Sequence, residues 1–223
     1  MSRLGPFITL AAGGVLAAGL GVASVVAAPA SNTSGYTVAS TTTSPSPAKP
    51  APTKAQVKTI PKADYAGYVK GNGGLIAVSV RNGKAVAYFC DGRAEAWFKG
   101  READGKVTLT GFGGAKATAT LGGGKAKGWL ALSGKRWTFT APTTVKPSGL
   151  YRATAFVRGA KLRAGWIVLA KPRGGFYQVG AAFEGDRQIK LANVDDERPT
   201  DPVKLDQTTV YPKDVDSFIE EMS

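Results

Sequence analysis

The sequence predicts an all-β protein built on an antiparallel meander of about 8 strands, closed into a small barrel or held as a strongly curved sheet. Two observations predict it. Turn dipeptides recur at near-even spacing: Asn72-Gly73, Asn82-Gly83, Asp91-Gly92, Asp104-Gly105, Gly113-Gly114, Gly123-Gly124 and Ser133-Gly134. The tight hairpin turn that follows strand twist needs positive φ at both central residues, and Asn-Gly, Asp-Gly and Gly-Gly tolerate this at least cost. The runs between the turns alternate with period two, as in Lys116, Thr118 and Thr120 against Ala117, Ala119 and Leu121, or Arg136, Thr138 and Thr140 against Trp137, Phe139 and Ala141. Such alternation sends one set to a core and the other to solvent.

Residues 1–30 read as a signal peptide or an N-terminal membrane anchor. An uncharged run over 7–28 comes after Arg3. It is longer than a signal-peptide core of about 7–15 residues and reaches the about 20 residues of a spanning helix. Gly13, Gly14, Gly19 and Gly21 make it only mildly apolar, and Ala28-Pro29-Ala30 has the small-x-small form of a cleavage site. Both alternatives place the chain beyond residue 30 outside the membrane, because Arg3 is the only cationic side chain nearby. The expected location is therefore the cell membrane with the domain outside, or the secreted fraction. Residues 31–62 are rich in Ser, Thr, Pro and Ala, too poor in apolar surface to offset chain entropy, and read as a disordered linker.

The β domain is expected over 63–194. Its first eight strands are 65–70, 75–80, 84–90, 94–101, 106–110, 115–121, 125–132 and 135–141. Inward positions are often Ala or Gly, which suits a narrow barrel filled by a few large rings, with Trp97, Trp129 and Trp137 the expected fillers. After a breaker at 142–149, up to four more strands (150–158, 160–171, 175–183 and 187–191) extend the unit. Residues 195–223 form an acidic tail, irregular around Pro199, Pro202 and Pro212, with a short helix over 214–222. Val215, Phe218, Ile219 and Met222 fall on one stripe of that helix, and Asp214 or Asp216 can cap it. About nine residues are not helical alone in water, so the stripe docks on the body or on a partner protein.

The net charge of +13 divides into a tail of −6 and a remainder of +19. A basic body with an acidic tail implies a polyanionic partner, a tail that folds back, or both. The candidate polyanion-binding residues are Lys125, Lys127, Lys135, Arg136, Arg152, Arg158, Lys161 and Arg163, interleaved with Trp129, Trp137, Tyr151 and Trp166. Anionic cell-wall polymer or a membrane surface suits an exported chain, whereas the exported address disfavours nucleic acid.

The chain contains no histidine, which excludes Ser-His-Asp and Cys-His catalysis and removes the usual metal ligand. Cys90, the single cysteine, ends an apolar strand beside Asp91 and reads as core. Gly122, Gly123, Gly124 and Lys125 lack the spacing of a phosphate loop, and the acids at 195–197 with Asp201 match no calcium-loop template. No cofactor and no metal are expected.

An apolar N-terminus, a Pro/Ser/Thr tether and a domain carrying the segments LIAVSV (75–80), AVAYFCDG (85–92), AWFKG (96–100) and GLYRA (149–153) together resemble uncharacterised exported, membrane-anchored β-domain proteins of high-GC Gram-positive (actinobacterial) type. The resemblance covers about residues 64–157 and implies no activity. The expected function is a non-enzymatic binding or interaction domain tethered at the cell envelope. The alternatives are a lipocalin-like carrier of a small apolar ligand in a barrel mouth and a partner subunit of an envelope protein complex.

Overall fold

The computed structural model describes residues 58–222, so the expected anchor or signal segment and most of the linker lie outside the described residues. Both residues of the Asn82-Gly83 turn take positive φ (49° and 80°), as do Asp104-Gly105 (50° and 74°). These turns join β1 (Lys62–Tyr68), β2 (Leu75–Arg81), β3 (Lys84–Cys90), β4 (Glu95–Ala103), β5 (Lys106–Gly111), β6 (Lys116–Gly122), β7 (Lys125–Leu132) and β8 (Lys135–Pro142) into one antiparallel sheet in sequence order. Its two edges meet. The Thr138 carbonyl accepts from Lys70 N at 2.8 Å and the Asp64 carbonyl from Thr144 N at 2.9 Å, with Tyr65 bridging Thr143 and Val69 bridging Phe139. The meander is thus nearly closed into a barrel.

The folded unit also takes in 58–62, which composition assigns to the linker. Lys58 N donates to Asp104 at 3.0 Å and Ile60 N to buried Glu102 at 2.7 Å. These two carboxylates capture backbone donors that carry no signal in the local sequence.

Alternation packs the interior with Ile76, Val78, Val80, Phe89, Phe98, Val107, Leu109, Leu130 and Phe139 among alanines. Of the three tryptophans expected there, only Trp137 joins this cluster, its ring 6.3 Å from Phe89. Trp97 and Trp129 correct that expectation: each sits between inward neighbours (Ala96 and Phe98, or Gly128 and Leu130) and so points outward.

The additional strands form their own sheet. β9 (Gly149–Val157), β10 (Ala160–Ala170), β11 (Phe176–Glu184) and β12 (Arg187–Ile189) pair in sequence order. This sheet stacks on the outer side of β1–β3, with Leu150, Ile167 and Ala181 meeting Ala66, Leu75, Ala77, Val86 and Tyr88. The close fit depends on Gly165, where a Cβ would lie 2.5 Å from the Trp97 ring and 2.9 Å from that of Tyr88. The Tyr88 hydroxyl ties the layers, donating to Glu95 at 2.6 Å and accepting from Ala181 N at 3.1 Å. Two-sided cover explains why β2 is buried at every position.

The tail is more ordered than its prolines suggest. β13 (Val203–Leu205) and β14 (Thr208–Val210) form a hairpin. With Val194 they cover Trp166, Leu162 and Val168 on the far face of the second sheet. β15 (Lys213–Asp214) then adds to the β9 edge. The prolines flank these short strands instead of interrupting them, and the tail belongs to the folded unit. The expected helix over 214–222 shortens to α1 (Val215–Phe218), capped by Asp214 accepting from Ser217 N, followed by a 3-10 turn (Glu220–Met222). Among the described residues no helix is long and apolar enough to cross a membrane.

Candidate functional site

The expected partner-docking stripe is consumed within the molecule. Val215, Phe218 and Ile219 are buried in the layer between barrel and second sheet, and Met222 packs at its margin. Four short-range charges explain why the tail settles there. Asp216 accepts from Lys62 at 2.6 Å and pairs with Arg81; Asp214 pairs with Lys146 and Glu220 with Lys84; Glu221 lies 2.6 Å from Lys213 and 3.6 Å from Arg152.

Burial by itself would raise the Asp216 pKa, but hydrogen bonds from Lys62 and Arg81 outweigh it and hold the group at about 2. An acid depressed in the folded state stabilises above its unfolded pKa of about 3.9, and this contribution is lost as pH falls toward the folded value. Amide hydrogen-exchange protection of 215–219 is therefore expected to fall between about pH 4 and pH 2. Protection unchanged across that window would rule out the ionic clasp.

With the tail neutralising Lys62, Arg81, Lys84 and Lys146, the outer side of β4–β8 stands apart. Strand parity and register bring to one face Lys99 and Arg101 of β4, Lys106 of β5, Lys116 of β6, Lys125 and Lys127 of β7, and Arg136 of β8. The positions between them are Thr108, Thr110, Thr118, Thr120, Thr138 and Thr140. No acid stands among these cations: Glu95 shares the outward parity of β4 but lies beyond Trp97 with its carboxylate on the Tyr88 hydroxyl and 3.8 Å from Arg163, Glu102 is turned into the barrel and Asp104 sits in a turn bound to Lys58 N. All seven cations are exposed, and none forms an ion pair with another described residue. Arg136 lies flat on Trp129, its guanidinium carbon 3.8 Å from the ring, which holds the side chain along the surface.

The eight cations expected from sequence thus separate into three places. Lys125, Lys127 and Arg136 belong to the barrel face, while Lys135 has the opposite parity and sits at the barrel rim. Arg158 and Lys161 flank the β9–β10 turn. Arg152 and Arg163 point from the second sheet toward the barrel and line a cleft with Glu95 and Trp97. The rings do not interleave as expected either, because Tyr151 and Trp166 are buried. Lys99, Arg101, Lys106 and Lys116 lie outside that set; outward parity on three successive hairpins is the signal that identifies them.

Other candidate chemistry is absorbed by structure. Cys90 is fully buried, and burial pushes its thiol pKa up before Gly92 N and Tyr88 pull it partly back. In the acidic run, Asp195 accepts from Glu197 N and Arg198 N at 2.9 and 2.7 Å, and Asp201 pairs with Arg198 at 3.2 Å. The barrel lumen, where a carrier would hold its ligand, is occupied by the packed side chains of Phe89, Phe98, Leu130, Phe139 and their neighbours. Comparison with protein-family models, curated proteins and solved structures finds no match to this chain.

Proposed function

We propose that the chain is a non-enzymatic binding module of the cell envelope whose β4–β8 outer face takes a linear, phosphate-bearing polymer. The observation that carries this reading is the acid-free array of seven exposed cations, left unpaired in a molecule whose tail acids neutralise cations elsewhere. Neighbouring strands lie about 4.8 Å apart and same-face residues about 7 Å apart along a strand, so a phosphodiester chain crossing the face meets several cations within a Debye length of about 8 Å. Threonine hydroxyls between them supply hydrogen bonds to phosphate oxygens. Of the two tryptophans with outward parity, Trp97 is packed against Tyr88 and against Gly165 of the second sheet, and Trp129 is covered by Arg136; this favours a hydrated polymer over insertion into a lipid surface. The export expected from the sequence and the Ser/Thr/Pro-rich segment that precedes the folded unit agree with a partner outside the cell membrane.

The test uses soluble poly(glycerol phosphate) and the full chain, with affinity measured by calorimetry at several salt concentrations. The logarithm of the association constant should fall linearly with the logarithm of salt, by a slope of about −0.7 per phosphate neutralised. Replacing Lys116, Lys125, Lys127 and Arg136 together by Gln should weaken binding by roughly 30-fold and flatten the slope by about 3. Salt-independent binding, or an unchanged affinity in the fourfold variant, refutes the proposal. Equal binding to neutral dextran would do so as well.

A further inference from the structure

The second sheet and the barrel are in contact along only part of the sheet. On the side that faces the barrel, register sets Leu150, Ile167 and Val179 in one row, Arg152, Gly165 and Ala181 in the next, and Thr154, Arg163 and Phe183 in a third. The first row is packed within the shared core. The second row still touches the barrel at Gly165 and Ala181, and beyond it the layers part, leaving a cleft of about 650 Å³, within the size range of small-molecule sites.

Two guanidiniums enter this cleft from diagonal positions on one sheet face. Arg152 has a side chain only 18% exposed, and its nearest acid, Glu221, stands 3.6 Å away. That is beyond hydrogen-bond distance, and Arg152 makes no hydrogen bond to another described side chain or carbonyl. Burial pushes its pKa down from the usual range and Glu221 restores only part. A half-buried cation with five N–H donors and, among the described residues, no acceptor within hydrogen-bond distance of them is costly unless something in the cleft accepts from it. Arg163 spends one N–H on the Gly185 carbonyl at 2.8 Å and is 3.8 Å from Glu95. The rings are placed around them: the Arg152 guanidinium carbon is 5.8 Å from the Trp97 ring centre, that of Arg163 4.5 Å from Phe183, and Phe112 stands 99% exposed at the lip.

We propose that this cleft binds a small organic carboxylate carried on a ring, with the carboxylate between Arg152 and Arg163 and the ring against Trp97 and Phe112. Guanidinium forks match the two oxygens of a carboxylate. The charge on the ligand is set by the neighbours. Glu221 and Glu95 stand 3.6 and 3.8 Å from the two arginines, too far to take up their N–H donors, and Asp186 also lines the cleft, so a monoanion with two acceptor oxygens can take those donors with less repulsion than a phosphate dianion meets from the neighbouring carboxylates. The site lies on the opposite side of β4 from the barrel interior and is lined by none of the seven cations of the polymer-binding face, so its failure leaves the polymer-binding proposal standing, and the reverse.

The experiment records the Trp97 indole N–H resonance in the ¹⁵N-labelled full chain, assigned with Trp97→Phe, during titration with benzoate and with glucuronate. Each has a neutral counterpart, benzamide and methyl glucoside, and phenyl phosphate serves as the dianion. At least one carboxylate should give a saturable shift with a Kd of about 1 mM or tighter, with the neutral compounds and phenyl phosphate at least tenfold weaker; the carboxylate that binds tells an aromatic from a saccharide body. Arg152→Lys should weaken binding at least tenfold. Phe112→Ala, at a position with no folded contacts to lose, should weaken it about threefold and keeps the test decisive where the arginine variant folds poorly. Neutral compounds that bind as well as the acids, no saturable shift from either carboxylate, or a Phe112→Ala chain that binds like the parent would each overturn the proposal.

Discussion

Gly128→Ala is expected to destabilise the protein by about 3 kcal/mol, at the upper end of what a single added methyl costs in a well-packed interior. Gly128 occupies an inward position of β7, opposite Ala119. A Cβ there would lie 1.9 Å from the Thr118 carbonyl oxygen and 2.8 Å from the Ala119 Cα. Both obstacles are backbone atoms of a strand hydrogen-bonded on two sides, so no rotamer change relieves them; β6 and β7 must separate. The entropy that alanine removes from the unfolded chain, worth about 0.4–1 kcal/mol, offsets only part of this. Gly122→Ala, where nothing lies within 4 Å of the added methyl, is the matched control and should change stability by less than about 0.5 kcal/mol. Urea unfolding decides between them. Coincident midpoints for the two variants would mean that the barrel does not depend on that close approach.

Arg81→Met should cost about 3 kcal/mol and should loosen the C-terminal segment. Arg81 is only 9% exposed. Its guanidinium reaches Asp64 at 2.9 and 3.1 Å, donates to the Val80 carbonyl at 2.7 Å and pairs with Asp216. Removing it leaves Asp64 half-buried without its cation and leaves Asp216 with Lys62 as its remaining close partner. Breaking one side of a buried pair is the costly case, because the abandoned charge stays desolvated. Lys84→Met removes a pair whose side chains are 41% and 70% exposed, and exposed pairs contribute under about 1 kcal/mol. The double variant Arg81→Met with Asp64→Leu should recover at least half of the single loss, since an apolar pair of similar volume carries no stranded charge. Chemical unfolding gives the stabilities, and limited proteolysis of 213–222 reports the loosening. Equal losses for Arg81→Met and Lys84→Met would contradict the buried clasp.

These two sites mark how far local sequence carried. The barrel strands were legible because each hairpin announces itself twice, in the turn pair and in the alternation on either side, and Asn82-Gly83 and Asp104-Gly105 take the expected positive φ. Parity also assigned Lys125, Lys127 and Arg136 to an outer face. It failed for Trp97 and Trp129 because large aromatic side chains were read as fillers on size, against the parity of Ala96, Phe98 and Leu130. The β13–β14 hairpin was hidden differently. Val203, Leu205 and Val210 alternate correctly around Asp206, which takes φ 53°, but Pro199, Pro202 and Pro212 dominate the composition of the segment. The cleft had no local signature at all. Glu95, Trp97, Arg152 and Arg163 meet only because a separate sheet stacks across β3 and β4, and that stacking rests on the missing side chain of Gly165.

The cationic face is the centre of the proposed function, and its most direct measurement is an amide and indole chemical-shift map of the ¹⁵N-labelled protein titrated with poly(glycerol phosphate). The prediction is that perturbed residues concentrate on the outer side of β5–β8, with Thr118, Thr120, Thr138, Thr140 and the Trp129 indole among them, and that the perturbations fade as salt is raised. Shifts confined to the second sheet or the C-terminal segment, or none at salt concentrations near about 50 mM where charge attraction is strongest, would contradict it.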